Sequence, residues 1–146
     1  MENRTENWTL TQVGVVVKNV EKVVERLGIL GIGPFEALSL PPDRKEYFRG
    51  ELMDADFDIR STRMGNVQLE LIQPLSGDSP HKEFLETKGE GIQHVMCQVD
   101  DVEATVKELT DKGVEVLLDA RFPGGNGIAY VDLGFNIVIE LGQKRK

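Results

Sequence analysis

The sequence contains two related segments, and this internal repeat limits the possible folds more than any other feature. Residues 12–21 (QVGVVVKNVE) align with residues 94–103 (HVMCQVDDVE), and residues 66–73 (NVQLELIQ) align with residues 136–143 (NIVIELGQ). The first alignment has an offset of 82 positions and the second an offset of 70, so the first half carries 12 additional residues. The sequence therefore predicts two similar halves sharing one core, with a turn-rich insertion around residues 40–45 of the first half.

Each half begins with an aliphatic strand that is followed by an amphipathic helix. Asn19 is the predicted N-cap of the first helix, and Asp100 or Asp101 that of the second. Apolar side chains recur at helical spacing after each cap, and a glycine is expected to end each helix. The residues concerned are Val20, Val23, Val24, Leu27 and Gly28 in the first half, and Val102, Val106, Leu109 and Gly113 in the second.

A short linker helix is predicted between the halves, over residues 79–89. Ser79 is its expected N-cap, Pro80 takes the first helical position and Gly89 ends it. We therefore expect an α+β fold with a single domain over residues 1–146. Its parts are a first module at about 9–75, this linker helix, and a second module at about 91–143.

Alternate residues of a strand share a face, and the two faces of the predicted strands differ in character. One face is apolar and is expected to pack under the helices; it carries Val13, Val15, Val17, Val67, Leu69, Leu71, Val95, Cys97, Val99, Ile137, Ile139 and Leu141. The other face carries a polar side chain at the matching position of each strand: Gln12, Glu70, His94 and Glu140. Exposure of this face to water would explain that alternation without a ligand.

A divalent metal ion would explain the same four residues in a different way. Carboxylates removed from water are costly unless their charge is compensated, and one dication neutralises two glutamates. It would also accept the imidazole nitrogen of His94 and the amide oxygen of Gln12. Three oxygens and one nitrogen suit Mn, Co, Ni, Zn, Mg or ferrous iron, with positions left for water or substrate. The repeat favours this interpretation because both alignments put these residues at paired positions.

Charge and composition exclude several classes of partner. The formal net charge of -8 argues against non-specific nucleic-acid binding and against docking on anionic membranes. No apolar run reaches the length of a membrane span, and the N-terminal residues lack the apolar core of a signal peptide, so a cytoplasmic location is expected. Cys97 is the single cysteine, which excludes an intramolecular disulfide.

Three stretches of the chain resemble the vicinal oxygen chelate superfamily, which includes glyoxalase I, methylmalonyl-CoA epimerase, extradiol dioxygenases and bleomycin-resistance proteins. They are TQVGVVVKNVEKVVERLG, NVQLELIQPLSGDSPHKEFLETKGEGIQHVMCQVDDVE and FPGGNGIAYVDLGFNIVIEL. The resemblance implies paired β-α-β-β-β modules that form a half-open barrel around one metal ion. It also implies that the four ligand positions fall on Gln12, Glu70, His94 and Glu140. One class of glyoxalase I has this ligand order, whereas epimerases usually have His first and resemble the last two stretches more closely.

The resemblance implies a metal-dependent isomerase, epimerase or lyase. Its reaction would be proton transfer at the carbon next to a metal-bound carbonyl of a thioester or hemithioacetal, with Glu140 and Glu70 as candidate bases. The alternatives are a metal-free small-molecule binding or resistance protein and a metal-dependent dioxygenase. A homodimer is expected because members of the superfamily commonly dimerise, with Trp8 and Leu10 as possible contact residues.

Several further residues carry chemically active or charged side chains. His81 is expected to be a solvated surface residue, and Cys97 to belong to the core. Asp58 falls roughly where epimerases carry a second acid/base residue. Residues 124–127 (GGNG) form a glycine loop that could border the substrate. The remaining candidates are basic side chains, for which surface charge is the preferred interpretation: Lys45, Arg49, Arg60, Arg63 and Arg121.

Overall fold

The structure is a computed structural model that describes residues 4–122 and 127–144 of the chain. Its elements are β1 (Thr9–Val16), α1 (Val20–Ile29), β2 (Glu36–Leu38), β3 (Lys45–Phe48), β4 (Glu51–Leu52), β5 (Asp56–Met64), β6 (Val67–Ser76), α2 (Pro80–Lys88), β7 (Gly91–Val99), α3 (Val102–Asp111), β8 (Glu115–Arg121), β9 (Gly127–Asp132) and β10 (Val138–Gln143). The predicted alternation of strands and helices is present in both halves.

The ten strands form one mixed sheet in the order β2-β5-β6-β1-β7-β10-β9-β8-β3-β4. Within each half, the first strand pairs with the last in parallel, β1 with β6 and β7 with β10. The halves join through the antiparallel pair of β1 and β7. The sheet curls into a half-barrel with three helices, which confirms the α+β class and the half-open barrel expected from the sequence.

The insertion in the first half contains more structure than the predicted turn. After β2 at one edge of the sheet, the chain crosses to the other edge, where β3 pairs with β8 of the second half. Glu46 and Ala120 are partners in this pair. We call residues 39–44, which make this crossing, the strap. The first half thus supplies two strands to the sheet edge of the second half.

The helices cover the apolar side of the sheet in two separate clusters. Val17, Val20 and Leu71 form the core beneath α1. The cluster beneath α3 consists of Val99, Val102, Ala129, Val131 and Leu141. Asn19 and Asp101 cap the helices by accepting hydrogen bonds from the backbone N–H groups of Lys22 and Ala104.

Two details of the predicted helices and strands differ from the structure. Gly28 lies inside α1, which continues to Ile29, and the glycine that follows the end of the helix with a positive φ of 76° is Gly31. The apolar face is also incompletely covered, because α1 and α3 leave its centre bare. Val13, Val95 and Cys97 are only half-buried there, and Ile137 precedes β10 and is exposed.

The linker helix is α2, and its ends are those predicted. The Ser79 hydroxyl accepts a hydrogen bond from the backbone N–H of Lys82, Pro80 occupies the first turn, and Gly89 caps the C-terminus with a φ of 86°. The helix contacts β1, β6 and β7, and its first two residues are buried. None of the helices formed by residues 4–122 and 127–144 has the length and apolar character that a membrane span requires.

Candidate functional site

Four neighbouring strands, β6, β1, β7 and β10, bring the four candidate ligands together on the concave face of the sheet. In the first of two rows, Gly14 is the partner of both Glu70 and His94. In the second row, Met96 is the partner of both Gln12 and Glu140. Each row of paired residues across three strands therefore holds two candidate ligands, with Gly14 or Met96 between them.

The imidazole of His94 lies at the centre of the group. Its Nε2 atom is 3.1 Å from the amide oxygen of Gln12. The same atom is 3.8 Å from a carboxylate oxygen of Glu70 and 3.8 Å from one of Glu140. The other ring nitrogen, Nδ1, lies 3.0 Å from the side-chain oxygen of Gln93. A hydrogen bond from Nδ1–H to Gln93 leaves the Nε2 lone pair free, as a metal ligand requires.

Gln12 has a defined orientation as well. Its amide nitrogen donates to Gln68 at 2.7 Å and to Glu70 at 3.2 Å. Because both donors of this amide are used, its oxygen is the atom that faces His94.

Burial controls the protonation of the site in the absence of a cation. It raises the pKa of Glu70 to about 7, against the influence of the hydrogen bond from Gln12. Burial and the neighbouring charge of Glu70 raise the pKa of Glu140 well above its usual range. Burial lowers the pKa of His94 to about 4. A bound dication favours the ionised carboxylates, so it would reverse these directions for both glutamates.

The residues fit a divalent cation in their chemistry and nearly in their spacing. Ligand atoms that share one ion at bond lengths of about 2.1 Å are about 3.0 to 3.5 Å apart. The separation between Gln12 and His94 lies in this range, and the two glutamate separations of 3.8 Å are slightly longer. His, Cys, Asp and Glu side chains alone form no ready-made metal-binding group among the described residues. To share one ion with Nε2 of His94, the carboxylates of Glu70 and Glu140 would have to move closer to it.

A cavity of about 200 Å³ opens beside these residues. Its wall is mainly apolar and includes Leu38, Leu40, Phe57, Ile59, Ile72, Met96, Leu118, Phe122 and Ile128. Its polar lining consists of Gln12, Glu46, Glu70, His81, Tyr130 and Glu140. Three carboxyl groups thus face one small cavity, and no Lys or Arg is among its described lining residues.

Sequence reasoning missed Glu46. This residue is buried on β3, and its carboxylate accepts a hydrogen bond from Arg44 at 3.0 Å. The β-forming pair Tyr47-Phe48 directly after it was a signal for the strand. The long-range pairing of β3 with β8, which turns Glu46 toward the cavity, has no local signal.

The expectation that His81 is a solvated surface residue is wrong. His81 is 5% exposed and lies at the N-terminus of α2, with its Nε2 atom 3.1 Å from the hydroxyl of Tyr130. Its ring also makes edge contacts with Phe57 and His94. His81, Phe84 and Leu85 have the i, i+3, i+4 spacing of a helix face, a signal that could have indicated its burial.

Asp58 does not reach the cavity. It alternates along β5 with Phe57 and Ile59, which line the cavity, and its carboxylate forms a salt bridge with Arg60 at 2.7 Å. The structure thus gives no support to an acid/base role for Asp58. Cys97 is half-buried, and burial raises the pKa of its thiol, which disfavours a nucleophilic thiolate.

The remaining candidates are the glycine loop and five basic side chains. Within the glycine loop, residues 124–126 lie outside the described residues. Three of the five basic side chains form salt bridges with acidic ones and are not in the cavity lining: Arg49 with Glu83, Arg60 with Asp58, and Arg121 with Asp119.

Comparison with known proteins adds a family match. The sequence profile of a family described as the Glyoxalase/Bleomycin resistance protein/Dioxygenase superfamily matches residues 11–131. The chain is 30% identical over 120 residues to the mitochondrial methylmalonyl-CoA epimerase of Mus musculus, a match that covers 81% of this chain and 61% of that protein. The chain spans between 49% and 61% of the length of the first curated relatives that it matches.

Solved structures show the same fold. A hypothetical protein from Bacillus halodurans C-125, BH1468, superposes with a TM-score of 0.72 at 23% identity, over 95% of this chain and 96% of that one. A variant of the Streptomyces coelicolor methylmalonyl-CoA epimerase, in complex with 2-nitronate-propionyl-CoA, superposes with a TM-score of 0.67 at 21% identity. That match covers 94% of this chain and 97% of the other.

Proposed function

Since the chain belongs to the glyoxalase/bleomycin resistance protein/dioxygenase superfamily, we propose that it is an isomerase or epimerase that moves a proton at the carbon beside a carbonyl group. One observation carries the proposal: three buried carboxyl groups, those of Glu46, Glu70 and Glu140, face one small apolar cavity. Such an arrangement is costly without a function, because each carboxylate has lost most of its hydration.

Gln12, Glu70, His94 and Glu140 are the residues that would hold one divalent ion. Their oxygen and nitrogen donors suit Mn, Co, Ni, Zn, Mg or ferrous iron alike. The ion would supply Lewis acidity toward a carbonyl oxygen and so make the neighbouring C–H more acidic. The glutamate charges compensate the charge of the ion, and the apolar wall keeps bulk water away from both.

The carboxylates are the candidate bases. Glu140 lies on β10 and Glu70 on β6, on either side of the central pair β1–β7. Glu46 enters from β3, at a separate edge of the sheet. Epimerisation requires removal of a proton from one face of a carbon and its return to the other, and carboxylates on different strands can do this. We propose Glu140 as one base and either Glu46 or Glu70 as the second.

The substrate we propose is a CoA thioester with a short acyl group, with methylmalonyl-CoA as the first compound to test. The cavity of about 200 Å³ can hold the reacting acyl end and leaves the rest of the thioester outside. The relative in Mus musculus is a methylmalonyl-CoA epimerase, and a variant of the Streptomyces coelicolor epimerase is seen in complex with 2-nitronate-propionyl-CoA.

A second candidate is the isomerisation of a glutathione hemithioacetal, as in lactoylglutathione lyase. The amide oxygen of Gln12, 3.1 Å from Nε2 of His94, favours it, because one class of glyoxalase I resembles this ligand set. Both candidate reactions begin with loss of a proton beside a carbonyl, so the mechanism is common to them.

Solvent exchange tests both reactions at once. The metal-loaded protein is incubated in deuterated water with methylmalonyl-CoA and, separately, with the methylglyoxal–glutathione hemithioacetal. Deuterium should enter at C2 of methylmalonyl-CoA, or at C2 of the lactoylglutathione formed from the hemithioacetal, and Glu140→Gln should abolish its incorporation because the base is lost. Glu46→Gln and Glu70→Gln compared in each direction of epimerisation identify the second base, and Glu103→Gln, at an exposed site on α3, is the control.

Metal analysis of the same samples separates the proposal from its main alternative. Elemental analysis should find about one divalent ion per chain after loading. Failure to bind Mn, Co, Ni or Zn would favour a metal-free binding protein, and absence of exchange with any carbon acid would contradict proton transfer. The expected homodimer and the cytoplasmic location stay predictions.

A further inference from the structure

His81 and Tyr130 form a buried polar pair behind Glu140. His81 lies at the N-terminus of α2 and lines the cavity, and its Nε2 atom is 3.1 Å from the Tyr130 hydroxyl. Tyr130 is 3% exposed, and β9 and β10 hold it directly opposite Glu140 in the sheet. Both side chains line the same cavity, so the Tyr130 hydroxyl stands beside the Glu140 carboxyl group. One phenol thus lies between the linker helix and a candidate metal ligand.

The three side chains of His81, Tyr130 and Glu140 can form a chain of hydrogen bonds, and the surroundings of His81 decide which group donates. The Nδ1 atom of His81 is buried and has no hydrogen-bond partner among the described residues. A buried N–H without an acceptor is rarer and more costly than an unpaired lone pair. The tautomer with its proton on Nε2 is therefore favoured, and this N–H donates to the oxygen of Tyr130. Burial lowers the pKa of His81 to about 3, in keeping with a neutral ring.

Tyr130 accepts one hydrogen bond in this chain of hydrogen bonds and can donate the next. Because the Tyr130 oxygen accepts from His81, its own proton is free to point to Glu140. A tyrosine phenol ordinarily titrates at about pH 10, so it keeps that proton at neutral pH. A donor of this kind fixes one oxygen of the carboxylate and leaves the other to face the cavity. Partners of this type behind a metal ligand commonly contribute about 10- to 100-fold in metal affinity.

We propose that His81 and Tyr130 are positioning residues for Glu140, forming a directed chain from the imidazole N–H through the phenol O–H to the carboxylate. The chain holds Glu140 in one rotamer and so raises its affinity for a cation. This role rests on the proposed function in so far as Glu140 is a metal ligand. His81 acts only through Tyr130, because no direct hydrogen bond joins it to Glu140.

The alternative is that His81 is merely a packed core residue, since its ring contacts Phe57, His94 and Tyr130. His81→Phe keeps an aromatic ring in this place and removes only the N–H donor. Tyr130→Phe likewise removes only the hydroxyl. Tyr47→Phe is the matched control, because Tyr47 is the other tyrosine of the chain and is not in the cavity lining.

Metal affinity, measured by competition with a chelator for Co or Zn, is the first readout. Tyr130→Phe should bind the metal about 10- to 100-fold more weakly, and His81→Phe should show a smaller loss. The double variant should bind no more weakly than Tyr130→Phe, because His81 acts through Tyr130. Native affinity in Tyr130→Phe, or additive losses in the double variant, would overturn the proposal.

Nuclear magnetic resonance of the metal-free protein is the second readout and does not depend on metal binding. The chain has two histidines, and the ¹⁵N spectrum should show His81 with its proton on Nε2. The ¹³C signal of the Glu140 carboxyl should move in Tyr130→Phe and His81→Phe but not in Tyr47→Phe. A proton on Nδ1 of His81, or an unmoved Glu140 signal, overturns the proposal. A native protein that binds no metal, with these signals as expected, overturns the proposed metal chemistry and supports the positioning of Glu140.

Discussion

At the scale of single residues, Gly14 decides whether His94 can reach the other candidate ligands. A side chain at this position would place its Cβ atom 2.1 to 2.6 Å from three atoms of the His94 ring. The ring lies directly over the glycine, and its Nε2 atom faces Gln12, Glu70 and Glu140. The repeat thus places the candidate ligands, but the absence of one side chain between them makes room for the imidazole.

We therefore predict that Gly14→Ala displaces His94. The added methyl group cannot fit without moving the ring, and such overpacking costs about 1–3 kcal/mol of folding free energy. Metal affinity should fall at least about tenfold, because the ring carries the nitrogen ligand. Urea unfolding gives the stability, and chelator competition gives the affinity.

Gly142→Ala is the control for this prediction. Gly142 also lies on the concave face, but its added Cβ atom would meet only the end of the flexible Met96 side chain. It should therefore affect metal affinity much less than Gly14→Ala. Equal affinity of the Gly14→Ala and native proteins would mean that His94 does not bind the metal from its present position.

At the scale of elements, β3 and the strap join the two halves across the open side of the sheet. The Arg44 guanidinium donates to Glu46, to the backbone oxygen of Pro41 and to that of Ala55. One side chain thus holds the end of the strap, the start of β3 and the turn before β5. It also compensates the charge of the Glu46 carboxylate, whose side chain is 9% exposed.

We predict that Arg44→Met loosens this part of the fold. The substitution removes three hydrogen bonds and leaves a nearly buried carboxylate without its partner, which should cost about 2 to 4 kcal/mol. Relative to the native protein, the rate of hydrogen exchange should increase in β3 and the strap. It should change much less in β1 and β7, which lie at the centre of the sheet.

The double variant Arg44→Met/Glu46→Gln tests the cause. Removing the charge of Glu46 should recover part of the lost stability, because the main penalty is an unpaired buried charge. A double variant that is less stable than Arg44→Met would show instead that the Glu46 carboxylate stabilises the fold by itself.

At the scale of the whole molecule, the site should make stability depend on pH. Burial raises the pKa of Glu70 to about 7, above its value in an unfolded chain. The folded protein therefore binds this proton more tightly than the unfolded chain does. The resulting stabilisation is fully present below the unfolded pKa of about 4.3 and is lost as pH rises through about 7.

We predict that the metal-free native protein loses up to about 3 kcal/mol of stability relative to Glu70→Gln between pH 4 and pH 8. The difference between the two proteins cancels the groups that Glu70 does not influence, and it reports Glu70 together with its effect on the pKa of Glu140. Urea unfolding across this pH range measures it. Saturating metal should remove the loss, since a cation stabilises the ionised carboxylate. A pH-independent difference would indicate that water reaches Glu70.

The sequence by itself determined the two repeated modules and the shared face of Gln12, Glu70, His94 and Glu140, and its resemblance to a known superfamily implied the half-barrel. Alternation along a strand follows from backbone geometry alone, so a repeat of strands also repeats the face of each side chain. It could not determine the surroundings of His81, Glu46 and Asp58. His81 and Glu46 are buried because α2 and β3 pack against strands that are distant in the chain. Asp58 lies on the outer face because it alternates with Phe57 and Ile59, which line the cavity. A shift of one residue along a strand reverses the face, and a loose alignment with the epimerases could not fix that register. Only the tertiary structure decided these positions, since burial depends on contacts between elements rather than on the local pattern of any one of them.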